Sequence, residues 1–129
     1  MRLPRLLLAL CVPVAGLIAP LSTQAAALDF RDIEYRDQGG DALARGRSAI
    51  ASAIAVGSAM ADGVQLLRAA GARCRPLHAD RDAVRCLHSQ MSADGDALDE
   101  VRWTTILRSR DGRVTDVSVR REIDTRVIG

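Results

Sequence analysis

The stretch 101-VRWTTILRSRDGRVTDVSVRREI-123 predicts a β-hairpin, because both arms are rich in β-branched residues and Asp111-Gly112 lies between them. A two-residue turn would place the only tryptophan, Trp103, opposite Arg120 and would mix charged with apolar residues on one face. A three-residue loop over residues 110–112 instead places Trp103 opposite Val119 and makes one face consistently apolar. Gly112 then falls where such a loop needs a left-handed residue, so the three-residue loop is predicted.

The other face of this hairpin carries arginines in the predicted register. Arg102, Arg108 and Arg120 all project from it, and Arg85 of the preceding predicted strand is expected on the same side. Aligned guanidinium groups can bind a carboxylate or a phosphate, so the three hairpin arginines form a candidate interaction face. The alternative is a solvated face whose charges keep the sheet soluble.

The first 27 residues predict a secretory signal peptide. A short basic start is followed by an apolar run from Leu6 to Leu21 and by the small residues of an A-x-A cleavage site at Ala25 to Ala27. The run is short for a membrane span, and prolines interrupt it. We therefore expect cleavage after about Ala27, a single small domain over residues 28–129, a periplasmic or secreted location, and no stable membrane insertion after cleavage.

Removal of the signal peptide would change the charge of the chain. All 18 basic residues are arginine, and they exceed the 16 acidic residues by two. Arg2 and Arg5 would leave with the signal peptide, so the remaining domain is formally neutral. A neutral domain gives no support to a nucleic-acid partner.

Two cysteines, Cys74 and Cys86, remain after the predicted cleavage. An even number of cysteines in an exported chain favours a disulfide between them. His78 and His88 lie nearby, so a metal site is the alternative. Their spacing does not match a familiar zinc pattern, however, and we predict no metal and no cofactor.

Residues 41–71 predict one or two helices. Asp41 is positioned to cap the first turn with its side chain. Gly57-Ser58 then favours a break, with Ser58 as the N-cap of a second helix that Gly71 ends in the left-handed conformation. One long helix that continues through Gly57 is the alternative.

The remaining segments complete an α+β fold. Leu28 to Gln38 predicts an edge strand or an ordered arm, Asp82 to Met91 a strand, and Ser92 to Glu100 an acidic connector. The predicted fold is therefore one or two N-terminal helices packed on one face of a three-stranded antiparallel meander and held by one disulfide.

No stretch carries a catalytic motif such as G-x-S-x-G, H-E-x-x-H or a phosphate-binding glycine loop. We therefore predict a non-enzymatic protein-interaction module of the periplasm or cell envelope, with another envelope protein as its partner. One alternative is an inhibitor of a wall-degrading or secreted hydrolase that acts through the Cys74–Cys86 loop and His78. The other is a small enzyme or metal-binding protein that uses His78 and His88.

The predicted layout resembles small exported modules of the SmpA/BamE type and the broader β-lactamase-inhibitor-like group. The resemblance rests on the helix break, the stripe and end of the second helix, and the tryptophan of the middle strand: Gly57-Ser58, Met60, Val64, Leu67, Gly71 and Trp103. It implies an α+β module of the cell envelope. Because the lipoprotein cysteine of that family is absent here, membrane anchoring is not implied. Locally, Cys74-Arg75-Pro76-Leu77-His78 also resembles the disulfide-held, histidine-bearing loop of a periplasmic lysozyme-inhibitor family.

Overall fold

The computed structural model describes residues 27–36 and 40–127, together with Gly16. Most of the predicted signal peptide therefore lies outside the described residues. Within these residues, three helices precede a four-stranded sheet: α1 (Phe30–Arg36), α2 (Ala42–Ala53), α3 (Met60–Ala69), β1 (Arg73–Leu77), β2 (Asp80–Asp94), β3 (Ala97–Arg110) and β4 (Arg113–Val127). The strands lie in the order β1-β2-β3-β4, and all neighbours are antiparallel. In the part of the chain that the structure describes, no helix has the length and hydropathy of a membrane span.

The α+β class and the disulfide are confirmed, but the predicted strand count of three is wrong. The additional strand is β1, in which Cys74 and Pro76 lie. No strand was predicted for this segment, which contains a proline. β1 lies at the edge of the sheet, where a missing N–H is tolerated.

The prediction of an acidic connector over residues 92–100 is also wrong. Strands β2 and β3 continue through it as one long hairpin that turns at Gly95-Asp96, with Ser92 paired to Asp99. Gly95 has a positive φ of +57° and allows the tight turn. The acidic side chains concealed this strand pattern, because such residues are depleted in strands that are covered on one face.

Three helices form where one or two were predicted. Leu28 to Gln38 contains α1 rather than a strand, because helical spacing brings Phe30, Ile33 and Glu34 to the side that faces the protein interior. The predicted break between the second and third helices is confirmed. The predicted side-chain caps are wrong: Asp41 makes no side-chain cap hydrogen bond, and the N-cap of α3 is Ala59 instead of Ser58. Gly71 has a φ of +103°, as predicted.

The register of the β3–β4 hairpin differs from the predicted one by two residues. Asp111-Gly112 forms a two-residue turn with φ values of +52° and +74°, and Thr115 bulges from β4 without a partner. Trp103 therefore lies opposite Arg121 rather than Val119. Turn and bulge each shift the pairing by one residue in the same direction. Because side chains alternate with a period of two, the predicted inner and outer faces are retained.

All three helices cover the same face of the sheet, which we call the inner face. Trp103, Thr105 and Leu107 of β3 point into it and are fully buried. Phe30 of α1 and Leu67 of α3 complete the core above them. α2 lies so close to the sheet that a side chain at Gly46 would overlap the Trp103 ring. The opposite, outer face of the sheet carries none of these helices.

Candidate functional site: the outer face of the sheet

Alternate residues of all four strands bring arginines to the outer face. Because Cys74 and Cys86 point inward, their neighbours Arg73, Arg75 and Arg85 point outward, and all three are exposed. Arg102 and Arg108 of β3 and Arg120 of β4 lie on the same face by the same alternation. We call these six arginines the basic face. Arg102, Arg108, Arg120 and Arg85 were expected on this face from the sequence, whereas Arg73 and Arg75 were not, because β1 was not recognised as a strand.

The β1–β2 half of the basic face has an unusual pairing of like charges. Arg75 lies directly opposite Arg85 in the antiparallel register. Like charges in this position destabilise a sheet, since the two side chains leave the backbone about 5 Å apart. Residues 83–93 of β2 and all of β1 contribute no carboxylate to this face. In the described part of the chain, neither Arg75 nor Arg85 has a carboxylate within ion-pair distance.

The β3–β4 half of the basic face is partly neutralised. Arg102 lies 3.4 Å from Glu100 and 3.9 Å from Glu122, and Arg120 lies 3.7 Å from Glu122. A hydrogen bond from Ser89 and the charge of Arg102 hold the pKa of Glu100 below its usual value. Arg108 is opposite Asp116 in the register. Among the described residues of this face, positive charge without an ion-pair partner is thus concentrated towards β1 and β2.

The outer face is not uniformly charged. Leu87 of β2 and Ile106 of β3 lie between the arginines and are half-buried. Arg85 faces Ile106, and Leu87 faces Thr104. This mixture of apolar side chains with arginine is typical of surfaces that bind proteins, where arginine is enriched over lysine.

The two histidines lie in different environments. His78 is exposed in the two-residue turn between β1 and β2. His88 lies on the inner face, stacked on Phe30 at a ring-centroid distance of 4.9 Å. Its Nδ1 is 3.2 Å from the carbonyl oxygen of Gly71, and its Nε2 is 3.0 Å from Oε1 of Gln90. Both cysteines are in the disulfide, and no cluster of ligand-type side chains that could hold a metal occurs within residues 27–36 and 40–127.

A partly buried polar network lies on the inner face and was not predicted from the sequence. The carboxylate of Glu34 accepts hydrogen bonds from the Arg121 guanidinium at 2.6 and 2.8 Å and from the Trp103 indole at 2.7 Å. Burial acts to raise the pKa of Glu34, but these hydrogen bonds and the charge of Arg121 outweigh it and lower the pKa. The network accounts for the packing of α1 against the sheet.

No family model matches this chain, and neither does a curated protein or a solved structure. The class is therefore defined by the geometry alone. The chain is a small disulfide-bonded α+β protein with one face of its sheet covered by helices and the other face basic.

Proposed function

We propose that this protein is a non-enzymatic binding module of the cell envelope, and that its basic face binds a partner protein through carboxylate side chains. The observation that carries this proposal is the direct opposition of Arg75 and Arg85 on a sheet face that no helix covers. A pairing that costs stability within the chain becomes favourable when carboxylates are placed between the two guanidinium groups.

The composition of this face suits a protein partner better than a polyanion. Leu87 and Ile106 separate the arginines and offer apolar contact area, which a phosphate backbone would not use. Arginine forks also suit the planar, bidentate recognition of carboxylates. With the predicted signal peptide removed, the domain is formally neutral, so binding should depend on short-range pairing and only moderately on salt.

The proposal includes export, which rests on the signal-peptide pattern. Intact mass measurement of the protein from a periplasmic fraction should give a chain that begins at Leu28, or at Ala26 as the second choice. A species that retains residues 1–21 would contradict the predicted cleavage of the signal peptide. The resemblance to the SmpA/BamE type is likewise a proposal, and it motivates the choice of envelope extract for binding experiments.

The test compares two sets of arginines on the basic face. Arg75→Gln with Arg85→Gln, and Arg102→Gln with Arg108→Gln and Arg120→Gln, should each reduce partner recovery from envelope extract. The control is Arg31→Gln with Arg68→Gln, since both side chains are exposed on helices. Cross-linking mass spectrometry should place acidic residues of the partner beside the basic face. Equal recovery with all three variants would refute the proposal.

One observation favours a second candidate function, the inhibition of a hydrolase. His78 is exposed at the tip of the hairpin that the Cys74–Cys86 disulfide closes, as a residue that enters an active site must be. Loss of partner recovery with His78→Ala, combined with normal recovery by the arginine variants, would favour the inhibitor. The third alternative, an enzyme or metal-binding protein that uses both histidines, has no supporting geometry because His88 is buried against Phe30.

A further inference from the structure

The two edges of the sheet are protected to different extents. The β1 edge is short and contains Pro76, which removes a donor from it. The β4 edge is long, and its first part is covered: the Gly57 amide donates to the Val114 carbonyl at 2.7 Å, and the Val114 amide donates to the Ser58 carbonyl at 2.9 Å. Further along, the Arg47 guanidinium donates to the Val119 carbonyl at 3.3 Å.

The second part of the β4 edge is open. The Val119 carbonyl points away from β3, since it is bonded to Arg47. Alternate residues of an antiparallel strand direct their backbone groups to the same side, so those of residues 121, 123, 125 and 127 also point outward. Within the described residues, nothing pairs with these backbone groups. Four amides and four carbonyls therefore form a template for another strand.

Apolar side chains are exposed along the open edge. Ile123 and Val127 of β4 are 51% and 80% exposed, and Tyr35 at the end of α1 is 78% exposed. Tyr35 and Ile123 line the same open cleft beside Arg121. A strand added at this edge would cover part of this apolar surface.

We propose that the occupant of this edge is β4 of a second copy, paired antiparallel about a twofold axis at Asp124. Residues 121–127 of the two copies then face each other, and all four outward residues of each strand find partners. Glu122 of each copy faces Arg126 of the other, so two complementary charge pairs form on the outer face. Glu122 is 51% exposed, and its contacts within the chain, at 3.7 and 3.9 Å, leave it available to this arginine.

Two kinds of alternative register are less favourable. An axis at Ile123 would place Glu122 opposite Asp124 and Arg120 opposite Arg126. Two pairs of like charges would then lie on each side of the twofold axis, and such pairs are destabilising. Registers that slide further towards α2 require the Val119 carbonyl, which Arg47 already occupies. In the proposed register the two Asp124 side chains face each other, but each lies within 4.0 Å of Arg126 of its own chain.

The first test uses the protein as it is purified from cells. Light scattering during gel filtration measures its molar mass over a range of protein concentrations. The wild type should show a concentration-dependent rise to twice the monomer mass. Ile123→Lys retains the backbone groups but places a charge at the edge, and it should weaken the dimer at least tenfold. Leu66→Met, a conservative change on α3 away from this edge, should not. A monomer at all concentrations, or a dimer unaffected by Ile123→Lys, would overturn the proposal.

The second test determines the register. Asp124→Cys should form an intermolecular disulfide under oxidising conditions, because residues on the axis at a non-hydrogen-bonded position approach each other most closely. Glu122→Cys, which faces Arg126 of the other copy, should cross-link much less. Equal cross-linking at both positions would overturn the register. A monomer that loses a captured partner on Ile123→Lys would assign the edge to a strand of another protein and exclude the second copy.

Discussion

The carboxylate of Glu34 accepts a 2.7 Å hydrogen bond from the indole N–H of Trp103, although the two residues are 69 positions apart. Glu34 lies on α1, and Trp103 is fully buried on the inner face of the sheet. The same carboxylate binds the Arg121 guanidinium, which lies 5.9 Å from the centre of the Trp103 ring. One side chain thus joins the first helix to both strands of the β3–β4 hairpin.

Glu34→Gln should lower the free energy of unfolding by about 1.5–3 kcal/mol, because it removes charge-assisted hydrogen bonds and leaves Arg121 without its partner. The measurement is denaturant unfolding at pH 7, with Asp32→Asn as the matched control. Asp32 is on the same helix, but its ion pair with Arg36 is exposed, so this control should lose less than ~0.5 kcal/mol.

The difference between wild type and Glu34→Gln should depend on pH. Because the pKa of Glu34 is lowered in the folded state, its contribution is fully present above the ordinary carboxyl pKa of about 4.5. The contribution is lost as the pH falls through the lower pKa of the folded protein. The two stability curves should therefore converge in acid. A constant difference down to pH 2 would contradict the assignment.

Gly46→Ala should destabilise the protein, although alanine is normally the better helix former. A Cβ atom at this position of α2 would overlap the Trp103 ring, so the helix or the ring must move. Overpacking of this kind costs about 1–3 kcal/mol. Gly63→Ala on α3 serves as the comparison, since its Cβ would lie 3.2 Å from the Ile54 side chain. This contact is less severe, so the loss of stability should be smaller. Thermal unfolding of both variants measures the difference.

Thr105→Val should stabilise the protein by about 1 kcal/mol, because it replaces a buried hydroxyl by a methyl group of similar shape. The Thr105 Oγ1 atom is fully buried and lacks a hydrogen-bond partner in the described part of the chain. Thr104→Val, on the outer face of the same strand, serves as the control and should change stability little. A loss of stability at Thr105 would show that its hydroxyl is hydrogen-bonded in solution.

Cys86→Ser should lower the free energy of unfolding by about 2–5 kcal/mol, because the disulfide restricts the unfolded chain and Cys86 is part of the core. Native protein should not react at Cys74 or Cys86 with a thiol reagent. Reaction of Cys74 in the folded state would contradict the bond between the two strands.

Trp103→Ala should cost about 3–5 kcal/mol and Ile106→Ala much less, since the first side chain is fully buried and the second lies half-buried on the outer face. The pair tests the assignment of faces. Similar losses of stability at the two positions would mean that the outer face is also covered. The basic face would then not be free to bind a partner.

Sequence reasoning identified the elements that depend on local patterns. The alternation in β3 predicted that Trp103 points inward, and the left-handed Gly71 followed from its place at the end of a helix. What it missed depends on contacts between distant residues. Pro76 is acceptable because β1 is an edge strand, and α1 is helical because Phe30 and Glu34 find partners on the sheet. Of the basic face, the β3–β4 arginines were predicted, but the Arg75–Arg85 opposition required the register of β1.

The disulfide joins Cys74 and Cys86, which are opposite each other on adjacent strands with their Cα atoms 4.0 Å apart. The bond therefore closes one hairpin and leaves its turn as a covalent ring. A protease that cuts a peptide bond in this ring releases no fragment, and the pairing of β1 with β2 keeps the new chain ends close together. Cleavage at the exposed turn would appear as the addition of one water to the intact mass, and reduction would be needed before the two pieces could separate.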